Sequence, residues 1–291
     1  MEFETSRLDK YIRRRYGKRI PQSMIEIAIK NGDILVNGGR TRASDKVSET
    51  DNVFVYHSVC RMFEAVMHSS KPKAPVDYSR FITELKDMII YEDDDLIIVN
   101  KPPGLPVQLG SKMRISVDVM AKAYNPEARL VHRIDKETSG VVVLAKNLFT
   151  ARYMLYLFQN KEIYKKYMAV VAGKLSAAEG VISKPLTRAG STSIVDFEYG
   201  KEAVTKFRVL ETIAQGRTLI EAIPLTGRTH QIRVHFSAIS CPIVGDRRFN
   251  GPKFKYLCLH ANEISFTLSN CRKISVIAPV PPYFQTVPGD E

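Results

Sequence analysis

The chain has 291 residues, 44% of them hydrophobic and 25% charged, which suits one large or two ordinary globular domains with an ample core. Lys and Arg outnumber Asp and Glu by 43 to 31, a formal charge of +12; this points to a polyanionic partner, most simply nucleic acid, with membrane surfaces and acidic proteins as alternatives. No apolar stretch approaches the roughly 20 residues that span a bilayer, and MEFETSRLDK lacks the hydrophobic segment of a signal peptide, so a cytoplasmic protein is expected.

The first stretch, SRLDKYIRRRYGKRI, predicts a helix capped by Ser6, with Leu8, Tyr11 and Ile12 as its apolar stripe and Arg13, Arg14, Arg15, Lys18 and Arg19 gathered toward its end. PQSMIEIAIKNGDILVNG predicts a second helix over 22–30, stopped by Asn31-Gly32, and then a short strand ending at Val36. Asn37-Gly38 supplies a turn and VFVYH a further strand. In this arrangement residues 7–55 resemble the small RNA-binding domain first described in ribosomal small-subunit protein four. The resemblance implies that Arg7, Lys10, Arg13, Arg14, Arg19, Lys30 and Arg40 contact structured RNA. Read singly, each is equally a solvated surface cation.

Residues 58–86 lack regular periodicity, and HSSKPKAPVDYSR has the Pro, Ser and Lys of a linker, which would separate a domain at 1–57 from another at 87–291. An ordered arm is the alternative, because Phe63, Val66, Phe81 and Ile82 are apolar enough to dock. The second domain opens on a hairpin, 88–91 with 96–100, joined by a solvated acidic turn at 92–95. KPPGLPV follows as a proline-stiffened loop.

Next comes HRIDKETSG, residues 132–140, directly ahead of VVVLAKN. Ile134 and the apolar run 141–144 can anchor loop and strand in a core while Asp135 faces out at the strand's edge. Gly140 supplies a turn conformation that other residues resist. On these residues alone Asp135 is either a reactive carboxylate held by a rigid strand or an acid that closes a tight turn. A helix over 148–160 then precedes EIYKKYMAVVAG, a strand bearing Tyr164 and Tyr167. LIEAIPLTGRTHQIRVHFSAISCPIVGD predicts a strand over 219–223, a turn at Thr226-Gly227 and a helix with Ile232, His235, Phe236 and Ile239 on its core side.

Together HRIDKETSG, KPPGLPV, the tyrosine strand, LTGRTHQIRVHF and the later YLCLHANEISF resemble the pseudouridine synthases of the RluA type, in several of which a ribosomal-protein-four-like domain precedes the catalytic one. The departures, Ile134 where Leu is usual and Ile232 among the accepted apolar residues, are mild. The resemblance implies an α+β protein: a small α/β RNA-binding N-terminal domain and a catalytic domain built on a mixed, mainly antiparallel β-sheet flanked by helices. It implies Asp135 as nucleophile, Arg233 as its ionic partner and Tyr167 as a base-stacking residue and general base. At the substrate site it implies that His132 shapes the loop, Arg133 helps hold the base out of its stack, Arg228, His230 and Gln231 sit around the site and its RNA, and Leu259 packs beneath the target base. The subgroup that modifies large-subunit ribosomal RNA is the nearest match, so that RNA or its precursor is the expected partner, with tRNA or another ribosomal site as alternatives.

Whether Asp135 would attack the sugar's anomeric carbon, attack the base ring, or remove a proton at the neighbouring sugar position is not decided by these residues. The reaction calls for no metal and no cofactor. Cys60, Cys241, Cys258 and Cys271 form no CxxC pair, and the histidines form no ligand set, so no metal site is indicated. A non-catalytic RNA-binding assembly factor and a glycoside hydrolase are the rival classes; the second generally needs two catalytic carboxylates, and the resemblance assigns one, Asp135. A monomer is expected.

Overall fold

In the computed structural model, which describes residues 5–68, 79–109, 115–214 and 216–287, the chain divides into two units, Met1–Val76 and Asp77–Glu291. The first contains β1 (Ser6–Arg7), α1 (Leu8–Tyr16), α2 (Gln22–Asn31), β2 (Ile34–Val36), β3 (Lys46–Val47), β4 (Val53–Val55) and α3 (His57–His68). Leu8, Ile12, Ile25, Ala28, Ile34 and Phe63 meet in its core. Gly32 ends α2 in the left-handed conformation that caps helices, its N–H donating to the Ala28 and Ile29 carbonyls.

Two expectations are corrected here. Ser6 does not cap α1; it pairs with Val47 in the β1–β3 ladder, and Arg7 stands at the cap position without a side-chain capping bond. The stretch expected to be an aperiodic linker is helical at both ends. Val59, Phe63, Val66 and Met67 recur at helical spacing along α3, where Phe63 is fully buried. The second unit begins with α4 (Ser79–Met88), whose Leu85 is likewise fully buried. The Pro- and Lys-rich part of that stretch, 69–78, lies outside the described residues.

After α4 come β5 (Ile89–Glu92), β6 (Leu96–Lys101), α5 (Val117–Tyr124), β7 (Arg129–Leu130), β8 (Ser139–Ala145) and α6 (Leu148–Gln159). They are followed by β9 (Tyr164–Ala172), β10 (Glu179–Ser183), β11 (Leu186–Ala189), β12 (Thr192–Val195), β13 (Val204–Ala214) and β14 (Arg217–Pro224). Helix α7 (Gln231–Ser237), β15 (Leu259–Thr267) and β16 (Lys273–Ile277) complete the series, with a short turn of 3-10 helix at Pro282–Phe284. The main sheet runs β10-β13-β14-β9-β15-β8-β6-β5, with β16 beside β15 and β7 beside β8. Its ladders are antiparallel except the short β15–β8 pair, His260 with Ser139 and Ala261 with Gly140. The mixed, mainly antiparallel sheet flanked by helices is therefore present.

Strand β8 is buried along its whole length because both its faces are covered. Val141, Val143 and Ala145 pack with Ala151, Met154 and Leu157 of α6. Val142 and Leu144 point the other way, to Leu85 of α4 and Val117, Met120 and Ala121 of α5. A strand covered on both faces reads as a continuous apolar run rather than an alternating one, as VVVLA does. Burying each such side chain contributes about 1.5–3 kcal/mol, against roughly 1–2 kcal/mol to order its backbone, so β8 is a rigid mount for the loop before it.

The acidic turn 92–95 departs from the expected solvated loop. Asp93 accepts from the N–H groups of Asp95 and Leu96, and Arg272 bridges Asp93 at 2.8 Å and Asp95 at 3.3 Å. The cluster ties the β5–β6 turn to the end of the chain's last hairpin.

Candidate active site

Asp135 sits in the loop just ahead of β8, and the loop is fixed from several sides. Lys101, at the end of β6, is fully buried, and its ammonium donates to the Pro102 and Lys136 carbonyls at 2.9 and 3.0 Å. Burial pushes its pKa down to about 7, opposed by Glu137 and Asp135. Gly104 of the KPPGLPV loop donates its N–H to the same Lys136 carbonyl at 2.9 Å. At the other end, Gly140 has φ +108°, and a Cβ there would lie 2.2 Å from the Ala261 carbonyl oxygen. Only glycine lets β8 and β15 approach so closely at that conformation. Beside it, Ser139 hydrogen-bonds His260 Nδ1 at 2.9 Å, while His260 Nε2 reaches the Ala278 carbonyl at 3.2 Å. That pattern makes Nε2 the N–H donor and Nδ1 the acceptor of the serine proton.

The carboxylate of Asp135 meets an arginine 98 residues further along the chain. Arg233 on α7 donates through one terminal nitrogen to Asp135 Oδ2 at 2.9 Å. Its other edge forms a bidentate fork on Asp246, at 2.7 and 2.8 Å. Arg233 is 5% exposed and Asp246 0%, against 26% for Asp135, so the guanidinium is locked from behind and presents one N–H to the carboxylate that faces solvent. Burial lowers the Arg233 pKa, but the hydrogen bonds and charges of Asp246 and Asp135 outweigh it and the net shift is upward. Arg233 also lies over the Phe249 ring at 5.1 Å. His230, held at φ +54° just before α7, places Nε2 3.8 Å from Asp135 Oδ1. Its pKa is lowered by burial, only partly offset by Asp135, which keeps the ring neutral at physiological pH.

A cavity of about 320 Å³ opens over Asp135. Tyr167, Leu259, Ile232, Lys165 and Phe158 are among the residues that line it, with Arg133 and Arg228 exposed at its rim. Burial, and secondarily the Asp135 charge, push the Tyr167 phenol above its usual pKa, so at neutral pH it carries its proton.

This arrangement can be set beside known proteins. Residues 95–238 match the family model described as RNA pseudouridylate synthase. The chain is 35% identical over 294 residues to a protein of Rickettsia bellii named ribosomal large subunit pseudouridine synthase C, covering 97% of each. It is 37% identical to the protein of that name from Vibrio vulnificus, over 90% of this chain and 84% of the other. The chain belongs to the RNA pseudouridine synthase family. Two solved family structures share its fold: human RNA pseudouridylate synthase domain containing 4, at a TM-score of 0.60 and 25% identity over 71% of this chain and 94% of that one, and domain containing 1, at 0.58 and 26% over 66% and 82%.

Within this pseudouridine synthase the expected site residues divide by what their polar groups do. Asp135, Tyr167, Arg233, His230, Arg133, Arg228 and Leu259 converge on one cavity. His132 and Gln231 line it too, with their polar groups engaged by the protein; for Gln231 this corrects the expected contact with RNA. His132 Nε2 accepts from the Val143 N–H at 2.8 Å and its ring stacks on Phe158; burial pushes its pKa down to about 3, so it is a neutral brace for the loop. Gln231 accepts from Thr226 Oγ1 and the Arg228 N–H and donates to the Val204 carbonyl and Thr205 Oγ1. Its amide is spent on holding the 226–231 turn, leaving nothing to offer a base.

Asp246, the buried counter-ion of Arg233, has no predicted role; its signal is an acid at the end of CPIVGD, within the motif that carries Arg233. Lys101 and Lys165 were likewise unassigned by sequence. In the first unit Lys10, Arg14, Arg19, Lys30 and Arg40 are exposed. Arg7 is exposed too and pairs with Asp9 at 2.8 Å, and half-buried Arg13 donates to the Ile20 carbonyl at 3.2 Å, so both hold the unit together as well as adding charge.

Among the described residues no helix is long and apolar enough to cross a membrane, and no cluster of His, Cys, Asp and Glu could hold a metal ion.

Proposed function

We propose that the chain converts specific uridines of large-subunit ribosomal RNA to pseudouridine in the cytoplasm, with Asp135 as the nucleophile. The observation that carries this reading is the Asp135 carboxylate, held at 2.9 Å by a buried arginine and facing a cavity for one flipped nucleoside. The names of the relatives favour large-subunit RNA over tRNA as the substrate.

The cavity's size, at the low end of the roughly 300–1,000 Å³ typical of small-molecule sites, suits a single base taken out of its stack. Flipping costs a few kcal/mol, and stacking against Tyr167 offsets about 1–3 kcal/mol of that. Asp135 then acts on the nucleoside while Arg233 keeps its orientation. Once carbon 5 has joined the sugar, its proton must leave. Tyr167, protonated at rest, takes that proton only as its own passes to another acceptor in the same step. The exposed cations of the first unit, Lys10, Arg14, Arg19, Lys30 and Arg40, would hold flanking RNA through its phosphates.

The test is a pseudouridine map of ribosomal RNA and tRNA from cells lacking the protein, complemented with wild type or Asp135→Asn. Large-subunit sites that vanish and return with wild type alone are the expected result. Persistence of every pseudouridine, with purified protein still binding ribosomal RNA tightly, would instead favour a non-catalytic assembly factor.

A further inference from the structure

Lys165 stands on the wall of the cavity without a counter-charge. The period-two alternation of β9 puts Lys165 and Tyr167 on one face and Lys166 on the other. Lys166 pairs with Glu263 at 2.6 Å, whereas the Lys165 ammonium makes no hydrogen bond or ion pair among the described residues. It is half-buried, and desolvation alone moves its pKa down.

The other cations of the cavity are placed differently. Arg233 is saturated by Asp135 and Asp246. Arg228 is exposed and gives its Nε–H to the Glu202 carbonyl at 2.9 Å. Arg133 is exposed at the rim. His132, close enough to feel the Lys165 charge, stays neutral. A desolvated ammonium without a partner is unfavourable in the empty site, and it becomes favourable when negative charge appears beside it. A site that is incomplete until the transition state is what selective transition-state binding requires.

We infer that Lys165 is a catalytic residue, whose ammonium takes up negative charge on a uracil oxygen as the glycosidic bond breaks. The inference rests on the pseudouridine synthase reading of this cavity. When the bond between the sugar's anomeric carbon and N1 breaks, its electron pair stays on the ring and spreads over N1, O2 and O4. The sugar is satisfied either by a bond to an Asp135 carboxylate oxygen or by loss of its neighbouring proton to that carboxylate. The pair then forms the bond from carbon 5 to the anomeric carbon, and Asp135 leaves as carboxylate or returns its proton. Finally carbon 5 loses a proton and N1 gains one, so nothing is consumed. Lys165 moves no proton in this sequence; it stabilises the charged ring between cleavage and reattachment.

The test compares the full chain as wild type, Lys165→Met, Lys165→Gln and Lys165→Arg. Its substrate is a large-subunit ribosomal RNA fragment carrying either uridine or 5-fluorouridine, whose ring is the better leaving group. Single-turnover loss of the starting nucleoside is read by mass spectrometry, RNA binding by titration at several salt concentrations, and folding by thermal melting. On uridine RNA the Met and Gln variants are expected to turn over about 10²–10³-fold more slowly, the range for removing one donor to a developing oxyanion, with RNA affinity within about threefold of wild type. On 5-fluorouridine RNA their deficit should shrink at least about tenfold, because a ring that bears charge well needs the ammonium less. Lys165→Arg should retain more turnover than Lys165→Gln. Equal deficits on the two RNAs overturn the inference, as does a loss confined to affinity with a shallower salt slope, which would mark a phosphate contact instead. A wild-type protein that forms no pseudouridine in any RNA removes the underlying reading and the inference with it; an active wild type with equal deficits removes the inference alone.

Discussion

Two arginines in this molecule each hold two aspartates, and they do it in contrasting settings. Arg272 bridges Asp93 and Asp95 at the β5–β6 turn, with the three side chains 39%, 16% and 33% exposed. Arg233 bridges Asp246 and Asp135, with 5% and 0% for the inner pair. At the turn, the remaining acceptor sites of the acids are filled by the Asp95 and Leu96 amides, the Tyr91 and Thr150 hydroxyls and the Asn147 side-chain amide. Around Asp135 they are not, and the carboxylate opens onto a cavity. Like pairing chemistry serves to fasten a turn in one place and to aim the carboxylate that we propose as nucleophile in the other. Burial of the far partner and vacancy beside the near one make the difference.

Removing the near carboxylate tests the contrast most severely. Asp135→Asn keeps the shape, so melting should change little, while pseudouridine formation falls by at least about a thousandfold, the scale of losing a nucleophile or base that acts directly. Substantial residual turnover would relegate Asp135 to the fastening class of Asp93. Asp246→Ala comes next. It strands the buried guanidinium and should cost about 3–5 kcal/mol in urea unfolding, together with most of the turnover. A loss of under 1 kcal/mol would show that the two clusters differ less than their burial suggests.

A buried neutral histidine sharpens the comparison from another side. Burial brings the His260 pKa down to about 4, below the ordinary value near 6.5. Between those values the unfolded chain binds a proton that the folded chain excludes, so stability falls as pH drops from 6.5 toward 4. Unfolding in urea should lose on the order of 2–3 kcal/mol from this group between pH 6.5 and 4.5. His260→Gln can still accept from Ser139 and donate to Ala278, and it should flatten that slope; an unchanged slope would clear His260 of the effect. The smallest change is expected at the exposed cluster. Arg272→Met should cost no more than about 1 kcal/mol and leave turnover at the wild-type level, measured by the same unfolding and single-turnover assays.

Much of the catalytic unit is legible in the chain itself. The apolar run after Gly140 announces a strand covered on both faces, and the β5–β6 hairpin and the α6 helix stand within a residue or two of their expected positions. The cluster of Asp135, Tyr167, Arg233 and Leu259 rests on motif resemblance, and the fold brings all four to one cavity. What was not legible depends on where side chains turn. Nothing in THQIR distinguishes a glutamine that faces substrate from one whose amide is consumed by its own turn. Asp246 gains its meaning only when a loop carries it back onto Arg233, 13 residues away. The helical spacing of Val59, Phe63, Val66 and Met67 is present in the sequence, but the Pro- and Lys-rich run that follows hides it.

The short parallel contact between β8 and β15 also bears on when the protein becomes competent. Ser139 meets His260 only 121 residues further along the chain, and Leu259, at the start of the same strand, lines the cavity. At about 5–20 residues per second of synthesis, the Asp135 segment waits roughly 6–25 s for the strand that braces it. Polypeptides released during that interval would carry Asp135 without the wall opposite it. The setting of the carboxylate that we propose as nucleophile is thus assembled late, after most of the chain has left a ribosome built from the class of RNA on which we propose it acts.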